Sequence, residues 1–355
     1  MMRMKKIILI ILVLILTACS GEVSDYSHDG EDENVPAWAD NTDTIAIPVL
    51  AENHLTGLTD LVPGKEKSRP IAVVVSNIKQ SLPQRGIGSA DIVYEAVTEG
   101  GITRLLAVFA DVDRIGQQLG PVRSVRECFV DIAMPHNPIL VHHGGSDSGY
   151  ALLRSRKTQN IDGMNMANIS FVRDDAIAAS KGLEHSSFTN SQGLKRGIEQ
   201  KKYIMESDPV KPMVFADGST TVTLGQDPAN TVRVPFSNYV TAVFEYDPQK
   251  QAYLKSQFGS PHIDGITGEQ ITVTNLFVLF ARTTVQSEIL TSYDLSGNSG
   301  FYINGGEARP ITYTKSKFDQ HFKFIAADGN ELIAARGKSW ICIVPVGQRS
   351  AVSIG

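Results

Sequence analysis

Cysteine is nearly missing from this chain: three occur in 355 residues, at Cys19, Cys128 and Cys342. Two isolated thiols beyond the leader make no disulfide framework, and no cysteine-based metal site fits their spacing. They read as small buried apolar side chains, with a pairing between them left open. Long apolar runs are missing as well. The run Ile7 to Leu16 holds about ten residues, against the roughly 20 that a spanning helix needs. Lys and Arg are absent from residues 21–53 altogether. Beyond that stretch, an excess of either charge is what the chain lacks. Its 33 Lys and Arg less the leader's Arg3, Lys5 and Lys6, and its 38 acids less the nine between Glu22 and Glu52, leave 30 against 29. So neutral a body carries no electrostatic footprint for nucleic acid, and none is expected as a partner.

What stands at the N-terminus is ordered: basic residues, the apolar run, then Leu16-Thr-Ala-Cys19. That order predicts a signal peptide over residues 1–19 ending in a lipobox, with Cys19 lipidated as the mature N-terminus. Two acyl chains there give a stable membrane anchor, so the expected location is the outer face of the cell membrane. The acidic stretch that follows buries too little apolar surface to order itself, and it reads as an extended tether over residues 20–54.

About 300 residues remain, enough for about two domains. Up to about residue 208, β-like runs alternate with helical patterns; beyond it, turn-bounded β patterns dominate. The expected architecture is α+β: an N-terminal α/β domain over 55–208 followed by a smaller β-rich domain over 209–355, its sheet packed on itself or curled into a partial barrel. Ile71 to Val75 is a continuous apolar run of the buried-strand kind. Gly100-Gly101 between two β-like runs predicts a tight hairpin, and a two-residue loop there pairs Val97 with Arg104 and sets Glu95, Glu99 and Arg104 on one face. Gly120-Pro121 predicts a helix start that spaces Arg123 and Arg126 three apart. Helices are also expected from near Tyr150 and over Ser191 to Tyr203. Aromatics of the second half, Phe244, Tyr253, Tyr302 and Tyr313 among them, read as core, with Trp340 half buried.

Several runs in succession carry a resemblance. They are Arg69-Pro-Ile-Ala-Val-Val-Val-Ser-Asn77, Ala90-Asp-Ile-Val-Tyr-Glu95, Glu99-Gly-Gly-Ile-Thr-Arg104, Gly120-Pro-Val-Arg-Ser-Val-Arg126, His143-Gly-Gly-Ser146, Phe171-Val-Arg-Asp174 and Glu184-His185. Together they resemble the YerB-like bacterial lipoproteins. Thr267-Gly-Glu-Gln270, Gly297-Asn-Ser-Gly-Phe-Tyr302 and Trp340-Ile-Cys-Ile-Val-Pro345 resemble that family's smaller C-terminal domain. Cys128 departs from the family's aromatic residue, and Glu184-His185-Ser186 from its Pro-His-Asn. The resemblance implies a two-domain envelope lipoprotein and is nearly silent on activity.

The candidate ligand site gathers Glu95, Glu99, Arg104, Arg123, Arg126, His143, Ser146, Arg173 and His185. Guanidinium forks suit carboxylate or phosphate, and carboxylates accept from sugar hydroxyls, so the expected ligand is an anionic or glycan polymer of the cell envelope. The same charges also read as an ion-pair network on a solvated face. Two other classes stand beside binding. A murein-acting hydrolase or lyase would use Glu95 or Glu99 as acid, yet four residues along a strand separate backbones by about 13 Å, against side-chain separations of about 5–9.5 Å in glycosidases. A scaffold would instead dock an envelope protein. His143-Gly-Gly-Ser-Asp-Ser-Gly149 has neither P-loop nor nucleophile-elbow spacing, and reads as a turn offering backbone N–H groups to an anion at a helix start. No catalytic residue, metal or cofactor is assigned.

Overall fold

The computed structural model describes residues 49–218, 221–225, 227–285 and 290–355. The signal peptide, Cys19 and the tether up to residue 48 lie outside the described residues. Pro48–Gly355 forms one compact unit.

Fourteen strands carry the architecture in our numbering: β1 (Ile71–Asn77), β2 (Ile92–Val97), β3 (Thr103–Phe109), β4 (Ile139–His142), β5 (Asn160–Asp162), β6 (Phe171–Arg173), β7 (Ser187–Thr189), β8 (Thr231–Pro235), β9 (Thr241–Asp247), β10 (Ala252–Gln257), β11 (Asn275–Val285), β12 (Gly297–Asn304), β13 (Glu307–Thr314) and β14 (Ser339–Pro345). The main sheet has twelve strands, and along its path β13, β12, β11, β14, β2, β3, β1, β4 and β5 lie side by side. Every residue of β1, β2 and β3 is buried. Their largely apolar text follows, since both faces are covered.

One face of this sheet packs on a second, smaller one in which β10, β9 and β8 are neighbours. Val93, Val97 and Leu105 meet Val232, Phe244, Tyr253 and Trp340 in a single core there. Trp340, expected half buried, is fully enclosed. Across the other face lie the helices α1 (Glu127–Ala133) and α2 (Asp147–Ser155), with Phe129 and Leu153 over Tyr94 and Leu106. The expected α+β class with a β-rich second half holds, and the sheet packed on a sheet is the form it takes. β14, near the C-terminus, enters the main sheet parallel to both β11 and β2.

Three more helices follow: α3 (Gly163–Ser170), α4 (Asp175–Lys181) and α5 (Ser191–Lys201). The caps of α2 to α5 are Ser146, Asp162, Asp174 and Asn190, whose side chains each accept a first-turn N–H. The sequence foresees α2 and α5 but neither α3 nor α4. It also starts α1 too early. Residues 119–126 run extended, because their N–H groups find carbonyls on separate neighbours: Leu119 donates to Thr189, Val122 to Ser187, Arg123 to Val74 and Val125 to Gly144. The helix begins only at Glu127. Cys128 and Cys342 are buried, unbonded thiols. Among the described residues, no helix is long and apolar enough to cross a membrane.

Candidate functional site

The tip of the β2–β3 hairpin decides what the site contains. Thr98 N–H donates to Ile102 O and Ile102 N–H to Glu99 O, so the loop is the three residues Glu99-Gly100-Gly101. Gly100 and Gly101 take φ of 58° and 81°, a left-handed pair that a side chain would strain. Arg104 therefore pairs with Ala96 rather than Val97. A register one residue off turns a side chain to the other face, and this one separates Arg104 from Glu95. The expectation that Glu95, Glu99 and Arg104 share a surface is corrected accordingly.

Glu95 points into the core between the two sheets, where Asn77, Thr103 and Trp340 donate to its carboxylate. It is fully buried and takes no part in the surface group. Glu99 lies on the helical side. Arg126 grips it with Nε on Oε2 at 2.9 Å and Nη2 on Oε1 at 3.0 Å, and Arg104 Nη2 meets the same Oε1. Burial would raise the Glu99 carboxyl, but Arg104 and Arg126 hold it below the usual carboxylate range. The two carboxylates thus look in different directions and do not form a pair.

A second group assembles around β6 and β7. His143 Nδ1 lies 2.7 Å from Ser187 Oγ, and Arg173 Nη2 approaches its Nε2 at 3.4 Å. Since guanidinium only donates, Nε2 is the acceptor and Nδ1–H donates to Ser187. Arg173 also donates to Leu183 O at 2.7 Å and Ser186 Oγ at 3.2 Å. His185 Nδ1 stands 3.4 Å from Ser81 Oγ, and Arg123 Nη1 donates to Glu184 O at 2.8 Å. Burial, then Arg173, lowers the His143 pKa; burial, then Arg123, lowers that of His185. Both rings are neutral at pH 7 on this account.

The extended segment 119–126 joins the groups. Its Arg123 and Arg126 stand on either side of Ser124, whose carbonyl receives Arg104 Nη1 at 2.7 Å, and its Val122 is bonded to Ser187 between His185 and Thr189. Arg104, itself buried, and Arg126 thus meet the Glu99 carboxylate, while Arg123 and Arg173 donate to the backbone carbonyls of Glu184 and Leu183, with the Glu184 carboxylate 3.6 Å from His185. This is an open, partly exposed surface. Clefts elsewhere, such as one of about 490 Å³ lined by Lys211, Phe215, His321 and Arg336, are built from other residues.

Ser146 does not join the surface group, because its Oγ caps α2 by accepting Gly149 N–H at 3.1 Å. The turn around it has no room for an external anion either. Asp162 already occupies it, taking N–H from Gly144 at 2.9 Å and Met164 at 3.0 Å and O–H from Tyr150 at 2.7 Å. The expected backbone cradle serves the chain's own carboxylate.

Known proteins share this architecture. Residues 55–204 match the N-terminal domain, and 232–341 the C-terminal domain, of the family described as "Protein of unknown function (DUF3048)". A Bacillus subtilis (strain 168) protein named "Putative lipoprotein YerB" is 32% identical over 320 residues, which are 87% of this chain and 92% of that one. The chain belongs to the YerB-like family. A crystal structure of the YerB protein from Bacillus subtilis superimposes with a TM-score of 0.74 at 31% identity, covering 86% of this chain and 99% of that one. The family spans both halves and assigns no chemistry to either.

Proposed function

We propose that this chain is a lipid-anchored envelope lipoprotein, held by Cys19 at the outer face of the membrane, whose arginine surface binds an anionic or hydroxyl-rich envelope polymer. The observation that carries the reading is the excess of guanidinium over carboxylate at the surface, Arg123, Arg126 and Arg173 against Glu99 and Glu184, with the buried Arg104 behind Glu99. Arg126 is already oriented by Glu99 and by Val125 O, so a carboxylate or phosphate there meets the N–H groups those contacts leave over, at little cost in ordering. The partly exposed Glu99 adds an acceptor of the kind that engages sugar hydroxyls. An open patch suits a long polymer better than a small enclosed substrate. Binding, rather than turnover, is the reading preferred: no paired carboxylates face each other here, as glycoside cleavage requires.

The test is co-sedimentation of the full chain, solubilised in detergent, with purified cell-wall polymer. Retention that falls with salt and is lost in Arg123→Glu/Arg173→Glu supports the reading. Released polymer fragments would turn it toward the hydrolase. No retention at all would favour docking to another envelope protein. Separately, Cys19→Ala should move the protein from the membrane fraction to the soluble one, and a variant that stays bound would refute lipid anchoring.

A further inference from the structure

Between the two sheets, a buried polar cluster takes no part in the arginine surface. Asn77 at the end of β1, Glu95 in β2 and Lys255 in β10 are each 0% exposed. Glu95 stands between the other two. Its Oε1 accepts from Asn77 Nδ2 at 2.8 Å, and its Oε2 lies 3.7 Å from Lys255 Nζ. Trp340 Nε1 donates to that Oε2 at 3.0 Å. The Asn77 carbonyl oxygen accepts two amide N–H groups, from Gln84 Nε2 and Gln257 Nε2, both at 2.9 Å. Gln257 Oε1 in turn accepts from Lys255 Nζ at 2.8 Å.

The contacts fix each orientation. Gln84 uses its Nε2 on Asn77 and on Ser76 O, so its Oε1 must accept from His262 Nε2–H. His262 Nδ1, 3.2 Å from Lys255 Nζ, is then an acceptor. Burial draws the Lys255 pKa down despite the nearness of Glu95. The ring of Trp340 covers the ammonium site at 4.8 Å and that of Phe244 at 5.9 Å, keeping water away.

A desolvated amine, an amide whose oxygen holds two donors, and a carboxyl group bonded to the amide nitrogen and 3.7 Å from the amine are the parts of a transamidation site. We propose that Lys255 and Asn77 join in an intramolecular amide bond, with Glu95 as the proton carrier, so that the two halves of the chain become covalently linked. Lys255 gives a proton to Glu95 Oε2, and its freed lone pair attacks Asn77 Cγ. Gln84 and Gln257 hold the oxyanion. Glu95 then protonates the Asn77 nitrogen, the old C–N bond breaks as the carbonyl reforms, and the new amide nitrogen returns a proton to Glu95. Ammonia departs with that proton as ammonium, which restores the Glu95 carboxylate. Lys ammonium plus Asn amide thus becomes a Lys–Asn amide plus ammonium, with no oxidant or cofactor.

Peptide mapping of the full chain by mass spectrometry tests the bond directly. The expected result is a branched peptide joining the segments around Asn77 and Lys255, lighter than the two together by one ammonia, with no tryptic cut after Lys255. Glu95→Gln and Lys255→Met should each give the two segments separately. Recovery of both segments from the unaltered chain, at their sequence masses and cleaved after Lys255, overturns the proposal. So does a branched product lighter by water, which would put the bond on Glu95. Either mass is measured on the unaltered chain, so the proposal stands or falls even where a variant fails to fold.

Discussion

Glu95 and Glu99 are the same side chain four residues apart in one hairpin, and they have opposite surroundings. Glu95 is sealed between sheets, held by the neutral donors of Asn77, Thr103 and Trp340 with Lys255 at 3.7 Å. Glu99 sits at the edge of solvent between two guanidinium groups. The difference comes from register and not from residue type. A strand whose two faces are both covered can enclose one carboxylate in the core and, just past its end, lend the other to the surface. Charge in a sequence therefore says little about function until its face is known.

The largest effect that sharpens this comparison is on stability. Glu95→Ala leaves Lys255 buried without its carboxylate, and urea unfolding should record a loss of about 3–5 kcal/mol. Glu99→Ala should cost less, about 1–3 kcal/mol, because Glu99 is itself partly exposed and the buried Arg104 keeps its bond to Ser124 O. Equal losses for the two would break the distinction.

Acid should act on the two regions in opposite senses. His262 lies beside Lys255 in the sealed cluster, and burial, then Lys255, puts its pKa well below the ordinary 6.5. Below pH 6.5 the unfolded chain takes up a proton that the folded chain refuses, so stability falls as pH drops toward the folded value. His136 adds to that slope for the same reason of burial, and His321 extends it to about pH 4. At the arginine surface, protonation of the partly exposed His143 below its lowered pKa adds positive charge. Polymer retention should rise with acid while the urea midpoint declines. A retention that falls in parallel with stability would deny the surface its separate role. The smallest effect is expected at Ser146→Ala, about 1 kcal/mol from the lost cap, with retention unchanged.

Much of this was legible in the sequence, though unevenly. The apolar text of Ile71 to Val75 marks a central strand, and Asn190 marks the start of α5 by its capping chemistry. The hairpin is legible too, but its loop length is not, because Gly100-Gly101 fits a two-residue turn as well as the end of a three-residue one. That one residue moved Arg104 to the other face. Gly120-Pro121 signalled a helix by local preference, and the carbonyls that hold 119–126 extended come from residues such as Val74 and Ser187, far off in sequence. Lys255 was within reach: Tyr253, Lys255 and Gln257 alternate, and a charge on the inward side of such a strand signals a buried partner. Which partner was beyond any local pattern, since Asn77 and Glu95 lie in the other half of the chain.

β14 is made from residues 339–345 and fills the gap between β2 and β11. The centre of the main sheet is thus completed only after the strands on either side of it have been made. Until those residues emerge, β2 keeps a bare row of peptide groups along one side, open to pairing with any neighbouring chain. A version ending after residue 204 should therefore associate with itself instead of standing alone, and the nascent protein must be kept apart from its copies until residues 339–345 arrive.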